Sequence, residues 1–282
     1  MANKFANIAQ NGTLESGGLK IAFRAWRPDV PARAAVVIVP GFNSHSGYYD
    51  WVGTQLVAAG LAVYAIDLRG RGNSDGERFY VERFADYLSD VDRLMHQVRS
   101  REPGRPVFLL GHSAGGVLAC LYVLEHPGAL VGLVCESFAF RTPAPEFALA
   151  VLKGLSHLAP HAHVLRLHNE DFSRDPAVVA AMNADPLIAH ETQPTKTVAE
   201  LVRADERLER EIPSITLPLL ILHGTEDKAA RVSGSQFLYD HVGSSDKTLK
   251  LYEGAFHDPL NDIGKAAVLA DVQQWLELHL TT

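Results

Sequence analysis

Ser113 is the residue in this chain best placed to do chemistry, because it lies at the centre of the hexapeptide GHSAGG at positions 111–116. A β-rich apolar run, 107–110, precedes the hexapeptide, and an apolar segment of helical length follows it. This order predicts a strand, a sharp turn and a helix with the serine at the apex. Glycines two residues to either side suit so tight a turn, where larger side chains would collide. We therefore predict that Ser113 is a nucleophile.

The predicted turn also creates a place where negative charge would be stabilised. Ala114 and the two glycines after it would form the first turn of the helix, so their unpaired N–H groups face the space beside Ser113. A second loop, 40–47 (PGFNSHSG), follows the apolar run 34–39 where a strand-to-helix crossover would begin. We predict that the Phe42 N–H is a second donor to an oxyanion there.

A serine hydroxyl is a weak nucleophile, so it needs an adjacent base and a carboxylate that orients the base. Two later loops offer such groups. The apolar run 219–222 leads into HGTED at 223–227, and the run 249–252 leads into EGAFHD at 253–258. Since each loop follows a predicted strand, we expect an acid and a base from them to lie above Ser113.

The order serine, aspartate, histidine along the chain is the order found in α/β-hydrolases, and Ser113, Asp227 and His257 follow one another in that order. Two glutamates remain competing acids. Glu226 lies in the same loop as Asp227, and Glu136 follows a predicted strand of its own. His112 and His223 are interpreted as structural, because each lies within or against the end of a strand.

Short apolar runs alternate with segments of helical period along most of the chain, which predicts an α/β protein with a mostly parallel, doubly wound sheet. A hairpin at 11–27 would add two strands at one edge. The other strands are predicted at 34–39, 61–66, 107–110, 130–135, 218–222 and 247–252, which makes an eight-stranded sheet, and helices at 50–59, 81–99, 231–241 and 264–279.

The segment 138–206 breaks this alternation, because it is too long for one crossover and shows no obvious strand. We predict a single domain over 1–282 with a helical cap inserted at about 138–206, over the carboxyl ends of the strands, where open α/β sheets bind ligands. An apolar helical face in the cap would line an acyl-chain channel or pack on the main domain. That face comprises Phe147, Val151, Leu152, Leu155 and Leu158.

Composition limits the remaining classes of function. The net charge is −7 over 282 residues and no run of Lys or Arg occurs, so we expect neither nucleic acid nor an anionic membrane as partner. No basic segment leads into an apolar core near Met1, so the expected location is cytoplasmic. Cys120 and Cys135 are predicted to be buried free thiols. The histidines of the cap, namely His157, His161, His163 and His168, are predicted to be surface residues rather than a zinc site.

Taken together, these motifs resemble the monoacylglycerol lipase-like branch of the α/β-hydrolases, which is grouped with lysophospholipases and serine aminopeptidase-like hydrolases. The resemblance covers nearly the whole chain. It is carried by residues 41–49, 67–74, 111–116, 223–227 and 245–254 together with His257. It implies an α/β-hydrolase fold with a helical cap, with Ser113 as nucleophile, His257 as base and Asp227 as acid. It also implies that the Phe42 and Ala114 amides form the oxyanion hole.

Two positions depart from the pattern of that branch. Pro40 stands where a histidine usually precedes the glycine of the oxyanion loop, so we expect a side-chain bond that braces the loop to be missing. Ala114 stands where the branch often has methionine, which leaves more room beside the nucleophile and leaves the preferred substrate open.

The resemblance implies hydrolysis of a small-molecule ester or lipid through an acyl-enzyme, by a monoacylglycerol lipase or carboxylesterase with an acyl-chain pocket under the cap. Transient contact with lipid aggregates fits such a substrate, and no cofactor or metal is implied; the oligomeric state is not indicated. Alternatives are a lysophospholipase, or an amidase or aminopeptidase that would bind a substrate amine at Glu136 or at Glu170–Asp171. A non-catalytic ligand-binding homologue is a further alternative.

Overall fold

The computed structural model describes residues 9–140 and 146–280. Its strands are β1 (Gln10–Ser16), β2 (Leu19–Trp26), β3 (Ala35–Val39), β4 (Ala62–Ile66), β5 (Val107–His112), β6 (Gly132–Glu136), β7 (His163–Leu165), β8 (Gln193–Pro194), β9 (Leu219–Gly224) and β10 (Lys247–Tyr252). Its α-helices are α1 (Asp50–Ala58), α2 (Phe84–Arg101), α3 (Ala114–Glu125), α4 (Glu146–Leu158), α5 (Pro176–Ala184), α6 (Thr195–Glu211), α7 (Val232–His241) and α8 (Lys265–His279). Short 3₁₀ turns cover Ser46–Tyr49, Asn169–Asp171, Ile212–Ser214 and Pro259–Asn261.

Eight strands form one sheet in the order β1-β2-β4-β3-β5-β6-β9-β10. The pairs β1–β2 and β2–β4 are antiparallel, and every other neighbouring pair is parallel. The predicted mostly parallel, eight-stranded sheet is confirmed. Because β5, β6, β9 and β10 are parallel neighbours, the loops after them open at the same edge of the sheet.

Strand β3 shows why the central strands appear in the sequence as unbroken apolar runs. Val37 and Val39 belong to the core on one side of the sheet, whereas Val36 and Ile38 belong to the core on the other side. Both faces are therefore covered, and alternating apolar side chains are buried in turn on each.

Helix α2 covers one of these faces with an amphipathic stripe. Val91, Leu94 and Val98 are fully buried in the core, while charged residues occupy its outer side. The helix begins after Arg83, whose N–H donates to Asp86 Oδ2 at 3.2 Å in a capping box. The predicted helix at 81–99 is thus displaced by a few residues, because Arg83 has extended backbone angles.

Between β6 and β9 the chain leaves the sheet and forms α4, β7, α5, β8 and α6. Strands β7 and β8 pair antiparallel, so the expectation of no strand in this segment is wrong. Strands of three and two residues are too short to produce a periodic pattern. Helix α6 continues past position 206 to Glu211 and buries Leu201 and Leu208 in the main core. Residues 141–145 of the predicted cap lie outside the described residues.

Helix α4 carries apolar side chains on the outside of the molecule. Phe147 is 74%, Val151 65% and Leu158 87% exposed. Of the two alternatives for this face, packing on the main domain is therefore wrong for these three residues, and Leu155 is exposed as well. Large exposed apolar residues on one helix are unusual for a surface that meets only water.

Both cysteines are buried and free, as predicted, with their Sγ atoms 3.8 Å apart. His157, His161, His163 and His168 are exposed, which agrees with their predicted surface position. Within residues 9–140 and 146–280, no helix has both the length and the apolar character needed to cross a membrane.

Candidate active site

Ser113 lies at a strained turn between β5 and α3. Its backbone angles are φ 57° and ψ −123°, in a region that L-residues rarely adopt and that costs on the order of 1–3 kcal/mol. The Ser113 N–H donates to Glu136 O at 2.8 Å, so the neighbouring strand β6 holds the turn in place.

Glycine is required on both sides of this turn. A Cβ at Gly111 would lie 2.4 Å from Gly115 O, and a Cβ at Gly115 would lie 2.1 Å from Val39 O. Both distances are well inside van der Waals contact with rigid backbone atoms. The steric interpretation of the GHSAGG sequence therefore has a direct structural cause.

The end of β10 and the end of β9 bring a histidine and an aspartate to this serine. His257 Nε2 lies 2.9 Å from Ser113 Oγ, and His257 Nδ1 lies 2.7 Å from Asp227 Oδ2. All three side chains are buried. With Nδ1–H donating to the carboxylate, Nε2 is left to accept a proton from the serine hydroxyl.

Asp227 is the most firmly held member of this set. Its Oδ1 accepts hydrogen bonds from the Ala229 and Ala230 N–H groups, each at 2.8 Å, and His223 Nε2 lies 2.9 Å from its Oδ2. Burial opposes ionisation, but the charge of His257 and the hydrogen bonds outweigh it and hold the pKa of Asp227 well below its usual range. Asp227 is therefore a carboxylate at neutral pH.

The two competing acids occupy different places. The Glu226 side chain is exposed, whereas Glu136 is fully buried and its Oε1 accepts from the Leu260 N–H at 2.8 Å. Burial, followed by the charge of Asp258, raises the pKa of Glu136 well above its usual value. Neither glutamate is in hydrogen-bond contact with the His257 ring within the described part of the chain.

Glu136 belongs to a buried polar cluster behind His257. Donor atoms of His112, Glu136 and Asp258 lie within 4.8 Å of one another, close enough to share a metal ion. His112 Nε2 lies 3.1 Å from His257 O, and burial lowers the pKa of His112, which keeps this imidazole neutral. A neutral His112 donates from Nε2 to that carbonyl and supports the backbone at His257.

The loop after β3 passes directly beside the serine. A Cβ at Gly41 would lie 2.7 Å from Ser113 Cβ, so only glycine permits this approach. The next residue, Phe42, is thereby brought to the nucleophile, and neither its N–H nor that of Ala114 donates a hydrogen bond among the described residues. Two amides without partners beside Ser113 are available to an oxyanion.

This loop is braced, although Pro40 supplies no side-chain bond, as expected. The Ser46 N–H donates to Asp67 Oδ1 at 2.7 Å, and the Asn43 N–H donates to Glu191 Oε1 at 3.0 Å. The bond expected to be missing is missing, and acceptors from elsewhere in the fold, Asp67 and Glu191, hold the loop instead.

Residues 30–264 match the family model described as serine aminopeptidase, S33. The chain belongs to the serine aminopeptidase S33 family. This chain is 35% identical to a monoacylglycerol lipase of Mycolicibacterium smegmatis over 266 residues, which cover 94% of this chain and 95% of that protein. It is 32% identical to the monoglyceride lipase of Homo sapiens over 274 residues, which cover 95% of this chain and 90% of that one.

A solved structure supports the same placement. The crystal structure of Paleococcus ferrophilus monoacylglycerol lipase superposes on this protein with a TM-score of 0.83 at 29% sequence identity. The match covers 92% of this chain and 99% of the lipase chain. The fold is thus the α/β-hydrolase fold, in the monoacylglycerol lipase-like branch implied by the sequence motifs.

Sequence reasoning missed two contacts of this S33 site. His223 was predicted to be structural, but it touches the carboxylate of Asp227 directly. The sequence does indicate this contact, because His223 lies only four residues before Asp227, at the polar end of an apolar strand. Glu191 accepts a hydrogen bond from the loop that contains Phe42, and no local pattern indicates this, because Asn43 and Glu191 are 148 residues apart in the sequence.

Proposed function

We propose that this protein is a carboxylic ester hydrolase that acts on monoacylglycerols through an acyl-enzyme on Ser113. The observation that carries the proposal is the chain of contacts from Ser113 Oγ to His257 Nε2 at 2.9 Å and from His257 Nδ1 to Asp227 at 2.7 Å, on a strained turn beside two free amides. The relatives named above are lipases of this substrate class.

In the acylation step, Ser113 Oγ bonds to the ester carbonyl carbon while its proton passes to His257 Nε2. The carbonyl oxygen takes the displaced electron pair, and the Phe42 and Ala114 N–H groups donate to that oxyanion. Asp227 stabilises the imidazolium. The C–O bond to the alcohol then breaks, and His257 returns the proton to the leaving alcohol.

Deacylation repeats these steps with water. His257 takes a proton from the water as its oxygen bonds to the acyl carbon, and the same two amides hold the second oxyanion. Collapse breaks the bond to Ser113 Oγ, which regains the proton from His257 and releases the carboxylic acid. The chain's own residues complete the cycle, with no redox change and no co-reactant other than water.

A contact between the inserted segment and His257 supports placing the acyl-chain pocket near the reacting groups. Phe172, between β7 and α5, places its ring edge-on to the His257 ring with centroids 4.9 Å apart, and the Asp258 N–H donates to its carbonyl at 2.9 Å. The small side chain of Ala114 leaves room beside the nucleophile. We propose that the acyl chain lies under this cap.

The exposed apolar side chains of α4 suit transient contact with lipid aggregates, from which a poorly soluble ester would enter. Phe147, Val151 and Leu158 would each bury apolar area in such a contact. The cytoplasmic location expected from the sequence stays a prediction, which fractionation of the source cells would test.

The testing experiment measures hydrolysis of monoacylglycerols from short to long acyl chain, with matching p-nitrophenyl esters. We expect a maximum at medium or long chains and, in Ser113→Ala, a loss of kcat of roughly a millionfold with an unchanged circular dichroism spectrum. A wild-type rate in Ser113→Ala would contradict the nucleophile assignment.

The same assays separate the rival hydrolases. Faster cleavage of lysophosphatidylcholine than of any monoacylglycerol would indicate a lysophospholipase. Faster cleavage of aminoacyl amides than of esters would indicate an aminopeptidase. A folded wild-type protein that no fluorophosphonate labels would indicate a non-catalytic ligand-binding homologue.

A further inference from the structure

Glu191 is a buried carboxylate of the inserted segment that contacts the loop beside the nucleophile. The residue is 3% exposed and lies just before β8. Its Oε1 accepts from the Asn43 N–H at 3.0 Å, from Gln193 Nε2 at 2.7 Å and from Arg71 Nη1. A buried carboxylate is costly unless it is paired, so these donors hold Glu191 in one position.

Arg71 is the cation of this pair and comes from the main domain. It is 1% exposed, and its Nη2 donates to Gln193 Oε1 at 2.6 Å. Burial opposes its charge, but Glu191 together with Tyr87 outweighs burial and raises the pKa of Arg71. The guanidinium lies over the Phe42 ring, with Cζ 4.1 Å from the ring centroid. The ion pair therefore contacts the oxyanion loop at two points.

These two contacts constrain Phe42 from both sides. Arg71 fixes the side chain of Phe42, and Glu191 fixes the peptide that joins Phe42 to Asn43. Asn43 has φ 51°, in the left-handed region, so the N–H that Glu191 accepts belongs to the residue at which the loop turns. With the ring and the following peptide both held, little freedom is left in the Phe42 backbone that carries the free N–H.

Asn43 adds a second link from the loop to the inserted segment. Its Nδ2 donates to Asn169 Oδ1 at 3.1 Å and to Leu167 O at 3.3 Å. The bonds from the Asn43 N–H and Nδ2 thus all run to the inserted segment, whereas Pro40, at the start of the loop, contributes no side-chain donor.

We propose that Glu191 and Arg71 are a pair of positioning residues that hold the Phe42 N–H in place as an oxyanion donor, so that the oxyanion hole is complete only with the inserted segment docked. This inference rests on the proposed function, because it assigns the Phe42 amide to an oxyanion. It makes transition-state stabilisation, rather than substrate binding, depend on a carboxylate that does not touch the substrate.

The test compares Glu191→Ala with a matched control, Glu102→Ala. Glu102 is also buried, with Oε1 2.6 Å from both Arg27 Nε and Tyr64 Oη, and it lies at the end of α2, outside the site. Steady-state kinetics on a p-nitrophenyl ester, affinity for a trifluoromethyl ketone and thermal unfolding are measured for both. The ketone forms a hemiketal oxyanion on Ser113, so its affinity reports the oxyanion hole.

We expect Glu191→Ala to lower kcat by about 10²–10³-fold, the effect of losing one oxyanion donor, with KM within a few-fold of wild type. Ketone affinity should fall by a similar factor. Glu191→Gln retains an acceptor for the Asn43 N–H and should restore kcat to within about tenfold of wild type. Glu102→Ala should reduce the unfolding temperature but leave kcat and ketone affinity within about twofold.

Three results would overturn the inference: a wild-type kcat in folded Glu191→Ala, a loss confined to KM, or an equal loss of kcat in Glu102→Ala. If Glu191→Ala does not fold, Arg71→Lys takes its place, since lysine keeps the charge but loses the planar contact with Phe42. That variant should lose about tenfold in kcat at unchanged KM, and no loss would overturn the inference. Ser113→Ala distinguishes the two failures, because its wild-type activity would instead refute the proposed function.

Discussion

At the scale of single residues, the carboxylate of Asp227 is the group whose environment is most fully specified. Two backbone N–H groups fix Oδ1, and the rings of His257 and His223 contact Oδ2. Hydrogen bonds to the charged form keep it ionised. The His257 tautomer then follows from the acceptor at Nδ1, which leaves Nε2 to receive the proton of Ser113.

Asp227→Asn should therefore reduce kcat by about 10³–10⁴-fold, because an amide neither enforces this tautomer nor stabilises the imidazolium. The measurement is kcat for a soluble p-nitrophenyl ester. Glu226→Gln is the control, since its side chain is exposed, and it should retain kcat within about twofold. If kcat fell strongly in Glu226→Gln but stayed near the wild-type value in Asp227→Asn, the acid would be Glu226 rather than Asp227.

At the scale of elements, the strand β5, the turn and helix α3 form a unit that tolerates no side chain at Gly111 or Gly115. The helix begins immediately after the serine, so its first turn packs against the end of β3. Because Gly115 contacts the backbone of Val39 directly, a side chain at position 115 would displace helix α3, strand β3 or both.

Gly115→Ala should destabilise the protein by about 3 kcal/mol or more, because the added Cβ would lie 2.1 Å from Val39 O, which is rigid backbone. Urea unfolding measures the change. Gly154→Ala in α4 is the matched control, since nothing lies within 4 Å of its added Cβ, and it should stabilise the protein by about 0.5–1 kcal/mol. Wild-type stability in Gly115→Ala would contradict the described geometry of the turn.

Helix α4 is the second element with a testable role. The double variant Val151→Glu/Leu158→Glu should reduce binding to phosphatidylcholine vesicles by about tenfold or more, because two exposed apolar side chains lose their transfer free energy. Co-sedimentation with vesicles measures this. Val30→Glu changes an exposed apolar residue of the main domain, 67% exposed, and should leave vesicle binding unaltered. Equal binding of the double variant and wild type would remove α4 as a lipid contact.

At the scale of the whole molecule, one apolar core covers each face of the sheet, and the polar cluster of His112, Glu136 and Asp258 is buried next to His257. Burial keeps the pKa of Glu136 raised well above the value of 4.5 that the free carboxyl has. Unfolding therefore releases a proton above pH 4.5. The contribution of protonated Glu136 to the free energy of unfolding is complete below pH 4.5. It is lost as the pH rises toward the pKa that Glu136 has in the folded protein.

Glu136→Gln should make the free energy of unfolding less dependent on pH. Between pH 5.5 and 7.5 the wild type should lose up to about 1.4 kcal/mol per pH unit through this group, and the variant should not. Glutamine retains the acceptor for the Leu260 N–H. Urea unfolding at three pH values measures the slopes, and identical slopes in both proteins would show that Glu136 ionises in the folded state.

The sequence by itself determined what depends on neighbouring residues. The glycines of 111–116 have their role because of contacts within a few residues and with the adjacent strand, and the apolar runs indicate strands because both faces of the sheet are covered. The eight-stranded sheet and the positions of the loops after β5, β9 and β10 were predictable for that reason.

The tertiary structure alone decided which distant polar groups meet. Asp227 was already expected from the motif and does contact His257, whereas nothing in the sequence indicates that Glu191 meets Arg71 and Asn43 across more than a hundred residues of chain. Such contacts depend on the strand order and on how the inserted segment lies over the sheet. Composition and periodicity record only whether a side chain is buried, not which partner it meets, so this information exists only in the folded chain.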